Sequence, residues 1–321
     1  MYVHYAAYRN GQGIGTINIE QISDLLQEAA SFVWLGLSDP SSEELGKIQE
    51  EFGLHDLAME DTRSAHQRPK IEEYGDTLFL ALHTVALNGD RVVYGETHLF
   101  AGRQFLVSIR RGPTASYRRV RERCESTPQL LAKGPGFALY ALLDFVVDQF
   151  LAVSDYYRKQ LDQVEADIFE NRLDRPLIGR LYELKREVSD LRNAAAPLAE
   201  IANALMRRHR NLVGPDLRNY YRDVHDHVLR VLRATDSMRE TLSDAMQVNL
   251  ALVTVHQNEV VKRLAGWGAI LALPTMVFSM YGMNFTIMPE LGWRFGYPAA
   301  LAVTLVGCLW LYGLLKHARW L

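Results

Sequence analysis

Residues 276–298 read MVFSMYGMNFTIMPELGWRFGYP, and the architecture of the chain turns on this stretch. Its first half closes a run, 264–289, that contains no Asp, Glu, Lys or Arg, and a second uncharged run covers 295–315. Each exceeds the roughly 20 residues a helix needs to cross about 30 Å of hydrocarbon. Two buried core helices would instead need an apolar environment on all sides at this end of the chain. The reading is therefore two membrane spans, at about 264–282 and 297–315, joined by an outer loop over 283–296 that holds one acid, Glu290, and one base, Arg294.

Flanking charge orients the spans. Lys262 and Arg263 precede the first, while Lys316, His317 and Arg319 follow the second. Positive residues stay inside, so both termini are expected in the cytoplasm and the loop outside; a plasma (inner) membrane is the expected location. Trp267, Trp293, Tyr297 and Trp320 fall near the expected interfaces, where amphipathic rings anchor.

Composition removes several function classes. Over 321 residues the net charge is −3, which exerts no general pull on nucleic acid. Two distant cysteines, Cys124 and Cys308, exclude a disulfide framework and a cysteine zinc knuckle. The first thirty residues lack a basic region followed by an apolar core, so no cleaved secretory signal is expected. There is no glycine-rich phosphate loop, Ser/His/Asp arrangement or cofactor motif, so neither an enzyme nor a cofactor is expected.

Residues 1–135 read as a cytoplasmic α/β domain. FVWLGL (32–37) has the composition of a buried strand, and Ser41 or Ser42 can cap a helix before Glu44 and Leu45. Three apolar or alternating runs, DTLFLALHTVAL, RVVYGETHLFAG and RQFLVSIRR, are split by Asn88-Gly89-Asp90 and Gly102, as in an antiparallel meander. Residues 136–263 read as a long-helix stalk and 264–321 as the membrane domain. Helical patterns run from about Phe137 to Glu170 and from Leu177 to Arg210, with Pro197 as a kink or break. A third starts near Pro215 and meets no stop signal before Tyr281, a length of about 100 Å at 1.5 Å per residue. That is too long for a small soluble domain, so it runs into the membrane as one element.

One face of this helix is small or mildly polar: Asn258, Val261, Leu264 or Ala265, Gly268, Ala272, Thr275 and Ser279 recur at steps of three to four residues. Small faces let helices pack closely in lipid, and they also suit the lining of a narrow water column. The spacing alone leaves both open. The polar end, Tyr-Gly-Met-Asn, favours the lining: Asn284 offers a carbonyl acceptor and Gly282 lets the backbone leave helical geometry. Two spans cannot enclose water, so a conduit requires several copies around an axis. A ring of neutral oxygens suits an ion that keeps its water, and Mg²⁺ dehydrates reluctantly.

With Gly282, Met283 and Asn284 intact inside YGMNF, followed by MPEL and a second span, the sequence resembles the CorA family of magnesium and cobalt transporters. HQRPKIEEYGDTLF (66–79), YRDVHDH (221–227) and NEVVKRL (258–264) resemble family segments too. The resemblance implies a funnel-shaped homopentamer with an α+β cytoplasmic domain, a long helical stalk and two C-terminal transmembrane helices, the first lining the pore. It implies inward flux of Mg²⁺, with Co²⁺ and Ni²⁺ less physiological, driven by membrane potential and gated by cytoplasmic Mg²⁺ as both transported and regulatory ion. Gly282 and Asn284 match the outer selectivity ring, Asn258 and Thr275 match lining positions, and Leu264 matches part of a hydrophobic constriction. Asp223 matches a regulatory carboxylate position, with Asp90 as a weaker partner.

The sequence departs from some relatives in three places. Val261 and Ala272 stand where some have methionine, and Gln247 where some have an acid. Asp223, His225 and His227 suggest zinc by type, but spacings of i, i+2 and i+4 do not share one helix face. The basic clusters at 117–124 and 206–210 read as solvated helix faces. The competing functions are a zinc transporter of the ZntB type, which intact Met283 disfavours, and a membrane-anchored sensor or enzyme that conducts nothing.

Overall fold

The computed structural model describes residues 4–15, 22–26, 28, 31–64, 67–113, 115–169, 175–283 and 288–321. The chain forms two compact units, Met1–Ser243 and Asp244–Leu321.

In the first unit, strands β1 (His4–Arg9), β2 (Gln12–Gly13), β3 (Ser31–Ser38), β4 (Lys70–Tyr74), β5 (Thr77–Asn88), β6 (Arg91–Ala101) and β7 (Phe105–Arg111) build one seven-stranded sheet. Its order is β2-β1-β3-β7-β6-β5-β4. The expected meander is present as β5, β6 and β7, each antiparallel to the next. Gly89 in the β5–β6 turn and Gly75 in the β4–β5 turn, at φ of 60° and 61°, make these two-residue turns possible, because a Cβ is disfavoured in that region. The strand read at 32–37 is β3, and it pairs parallel with β7.

Helices α1 (Ile22–Leu25), α2 (Ser42–Phe52) and α3 (Asp56–Arg63) belong to one side of the sheet. Inward-facing Val33, Leu35, Leu37, Phe79, Ala81, Phe100, Val107 and Ile109 form a core with Leu45, Ile48 and Phe52 of α2 and Met59 of α3. Of the two candidate caps, Ser41 is the one used. Its Oγ accepts from the Glu44 amide at 3.3 Å, and its own amide donates to Glu44 Oε2 at 2.7 Å, a complete capping box. Helices α4 (Arg118–Glu125), α5 (Pro128–Leu131) and α6 (Pro135–Phe169) follow, with α6 packed against β5, β6 and β7.

Helix α7 (Arg175–Arg208) pairs with α6, and Pro197 lies inside it without ending it. A proline removes one backbone hydrogen bond, but Leu191, Ala194, Ala195, Leu198 and Ile201 are buried on both sides of it, and that packing carries the helix through. After a 3₁₀ turn at Pro215–Leu217, α8 (Arg218–Tyr281) is a single 64-residue helix whose later part belongs to the second unit. That unit is completed by a 3₁₀ turn at Pro289–Gly292 and α9 (Gly296–His317). Helices α8 and α9 each hold a stretch long and apolar enough to cross a membrane.

Candidate functional site

Within the second unit, α8 meets α9 along one face. A Cβ on Gly266 would lie 3.7 Å from Leu315, the Trp267 and Tyr312 rings are 6.5 Å apart, and a Cβ on Gly307 would lie 3.4 Å from Leu273. Pro274 cannot donate to the carbonyl of Ile270, four residues earlier. The Cys308 thiol of α9 faces that carbonyl at 3.8 Å, so the freed acceptor is met from the neighbouring helix.

The stripe read from the sequence lies elsewhere. At 100° per residue, Asn258, Val261, Leu264, Gly268, Ala272, Thr275 and Ser279 fall on the side of α8 opposite Gly266, Ile270 and Leu273. All seven are exposed, and a Cβ added at Gly268 would meet nothing within 4 Å. The small residues are therefore not what seats α8 on α9. Leu273 does that against Gly307 of α9, and Gly266 does so against Leu315 and Leu321. The Thr275 hydroxyl donates back to the Leu271 carbonyl at 2.9 Å, which leaves its oxygen lone pairs available to an ion's water shell.

At the end of the span the winding tightens. The Gly282 amide is shared between the Phe278 and Ser279 carbonyls at 3.0 and 3.1 Å, and the Met283 amide reaches only to Met280, at 3.3 Å. This is a 3₁₀ finish that frees terminal carbonyls. Gly282 takes no left-handed conformation, and an added Cβ would make only ordinary 3.5 Å contacts with backbone oxygens. Nothing among the described residues thus demands glycine there. Asn284 lies outside the described residues, as do 285–287. Glu290 falls in the Pro289–Gly292 turn, and Met283 is exposed.

A second group of polar residues gathers in the first unit. Asp144 of α6 and Asp223 and His227 of α8 bring one ligand atom each within 4.8 Å of one another. His227 Nε2 is 3.8 Å from Asp223 Oδ1, the i, i+4 spacing of one helix face, while His225 turns to Asp226 at 3.7 Å. Arg123 holds Asp144 at 2.8 Å. Burial and then the Asp144 charge raise the Asp148 carboxyl, and the same pair of causes pushes the Tyr140 hydroxyl up to about 12. Two carboxylates and an imidazole form a mixed O/N set that a divalent cation could use. The sequence reading dismissed a zinc-like group because His225 breaks the face. It missed Asp144, which sits in an apolar helix with no motif around it. Asp90 is not in this group: it lies in the β5–β6 turn, where its carbonyl accepts from the Tyr156 hydroxyl at 3.0 Å.

Among curated proteins, the cobalt/magnesium transport protein CorA of Thermotoga maritima is 28% identical over 310 residues, covering 95% of this chain and 88% of that protein. The complete CorA magnesium transporter structure from Methanocaldococcus jannaschii superposes with a TM-score of 0.80 at 17% identity over 100% of both chains. The ZntB cytoplasmic domain of Vibrio parahaemolyticus gives 0.64 at 11% identity, covering 79% of this chain and 99% of that one. At such identities these structures show a shared fold of α+β domain and long helix, and the first adds the C-terminal helices. The family model for CorA-like Mg²⁺ transporter proteins matches residues 29–317, and this chain accordingly belongs to that family of membrane transporters for divalent cations.

Proposed function

We propose that several copies of this chain, five by family resemblance, form a conduit that passes hydrated Mg²⁺ into the cytoplasm across the inner membrane, with Co²⁺ and Ni²⁺ as less physiological cargo. The observation that carries the reading is the exposed stripe on α8. It is small, hydroxyl-bearing and turned away from α9, so it is available to line a shared axis. Gly282, Met283 and Asn284 form the outer filter, Asn258, Thr275 and Ser279 line the path, and Val261 and Leu264 narrow it near the cytoplasmic end, where apolar constrictions gate by dewetting. Glu290 adds negative charge at the outer loop. An inside-negative potential drives entry, worth about 4.6 kcal/mol per 100 mV for a divalent ion.

Regulation rests on Asp223. A bound cation at Asp144, Asp223 and His227 ties α6 to α8, and neighbouring acids such as Asp90 extend the sensor between copies. Asp223→Lys then leaves flux insensitive to internal Mg²⁺, and unchanged inhibition in that variant removes Asp223 from the mechanism. A zinc transporter is the second reading, favoured by the imidazole of His227, a ligand type that suits zinc better than magnesium.

The test is uptake into liposomes holding a Mg²⁺-sensitive dye under an inside-negative potential, with Zn²⁺ and Co²⁺ in parallel. The expected result is Mg²⁺ entry by the parent and its loss in Asn284→Ala. Zinc entry without magnesium entry selects the second reading, and no flux of any ion leaves only an anchor. Mass measurement of the solubilised complex checks the copy number.

A further inference from the structure

We propose a second ligand site, in the α/β unit, that binds a phosphoryl group carried by inorganic phosphate or a small phosphate monoester. A cavity of about 270 Å³ opens beside the parallel strand pair β3 and β7, under α4. Its lining includes Gly36 and Ser108, which pair across the two strands, together with Arg110, Arg118, Arg121 and Ser116. Gly36 is the sixth residue of β3 and Arg110 the sixth of β7, so the cavity sits toward the carboxyl ends of the one parallel pair among the described residues. In open α/β sheets, ligands bind outside the carboxyl ends of the parallel strands.

The floor is a guanidinium inside the fold. Arg121 is 8% exposed and lies over the Trp34 ring at 5.4 Å. A Cβ at Gly36 would come within 3.2 Å of Arg121 Nη2, so glycine at this point gives the guanidinium its room against the strand. Arg110 stands beside it, donating to the Ala115 carbonyl at 3.0 Å and lying over the Tyr117 ring at 5.3 Å, and neither partner neutralises it. Two acids share the lining: Glu122 accepts from Arg118 at 2.8 Å and Glu125 from the Tyr8 hydroxyl at 2.7 Å. Three guanidinium groups against two carboxylates leave a net positive cavity. Forked guanidinium donors with a nearby hydroxyl match the oxygens of a phosphoryl group better than a simple carboxylate or halide.

The test is calorimetric titration of the full-length chain in maltoside detergent, at constant ionic strength, with inorganic phosphate and with AMP. The parent should bind at least one saturably at millimolar concentration. Arg110→Gln should weaken binding about tenfold, the loss expected of one charge-assisted contact. Glu122→Gln, on the exposed side of the cavity, should strengthen it about twofold by removing a competing charge. AMP binding without phosphate binding identifies a monoester site, and equal affinity identifies free phosphate as sufficient. Absence of saturable binding of both ligands, or parent affinity in both variants, overturns the proposal. The opposite signs expected for the two variants separate a ligand site from a merely structural ion-pair cluster.

Discussion

Helix α6 and the pair formed by the end of α8 and α9 are each apolar and long enough to cross a membrane, yet they meet opposite fates. The apolar window of α6 is 67% buried inside the first unit, whereas those of α8 and α9 are 6% buried. Apolar length alone therefore does not distinguish a core helix from a span. What separates them is the partner: α6 has a sheet face and α7 to cover it, while α8 and α9 have little besides each other. The sequence carries one trace of this, since Asp144 and Asp148 interrupt α6 and no charge interrupts 264–289 or 295–315.

The same substitution in the two regions gives the largest contrast. Leu142 of α6 is fully buried and Leu309 of α9 is 61% exposed. Leu142→Ala should cost about 3–5 kcal/mol of stability through lost burial and a residual cavity. Leu309→Ala should cost less than about 0.5 kcal/mol in detergent, because detergent or lipid tails solvate either side chain. Denaturant unfolding of the solubilised protein measures both. Equal losses would mean that protein covers Leu309, and the comparison would fail.

Acid should act on the first unit and spare the spans. His98, 1% exposed, lies on the sheet with Arg111, Glu96, Lys70 and Asp61 around it. Burial first, and then the Arg111 guanidinium, push its imidazole from about 6.5 down to about 4. A folded value below the unfolded one means the contribution is fully present above the unfolded value. It is lost as pH falls through the folded value, so stability drops between about 6.5 and about 4. The total is up to about 3 kcal/mol. His98→Phe should flatten that part of the pH profile of melting, and an unaltered profile would assign the drop to other groups.

The smallest effect tests how the spans hold together. If Cys308 answers the carbonyl that Pro274 leaves open, Cys308→Ala should weaken the helix pair by about 0.6 kcal/mol, the average worth of a polar contact between membrane helices. Cys308→Ser should be neutral, because its hydroxyl still donates. Titration with a denaturing detergent reads both, and identical behaviour of the two variants removes the thiol from the account.

Local signals made much of the fold legible. The alternation and glycine turns of β5 to β7, the Ser41 cap and the long helices were all readable, because each depends on residues a few positions apart. The parallel pairing of β3 with β7 was not, since Val33 faces Phe105 and no local pattern records a neighbour so remote. Strand β4, KIEEY, escaped notice because an edge strand with one solvated side needs little apolar content. In the Asp144, Asp223 and His227 group, Asp223 stands out by resemblance and His227 by type, but Asp144 looks like one of several acids on α6. The arginine-lined cavity was hidden for the same reason. YRRVRERC read as a solvated face, yet Arg121 points inward over Trp34.

Uncharged length was enough to read two C-terminal spans, because bilayer thickness acts on contiguous residues, and the Gly282-Met283-Asn284 signature was enough to recognise the divalent-cation transporter family by resemblance. Which face of α8 is left open, which helix meets the carbonyl above Pro274 and which aspartate joins His227 were settled only by the folded chain. Those outcomes depend on surfaces that become neighbours after helices pack, and side-chain size and burial, rather than sequence distance, decide who meets whom.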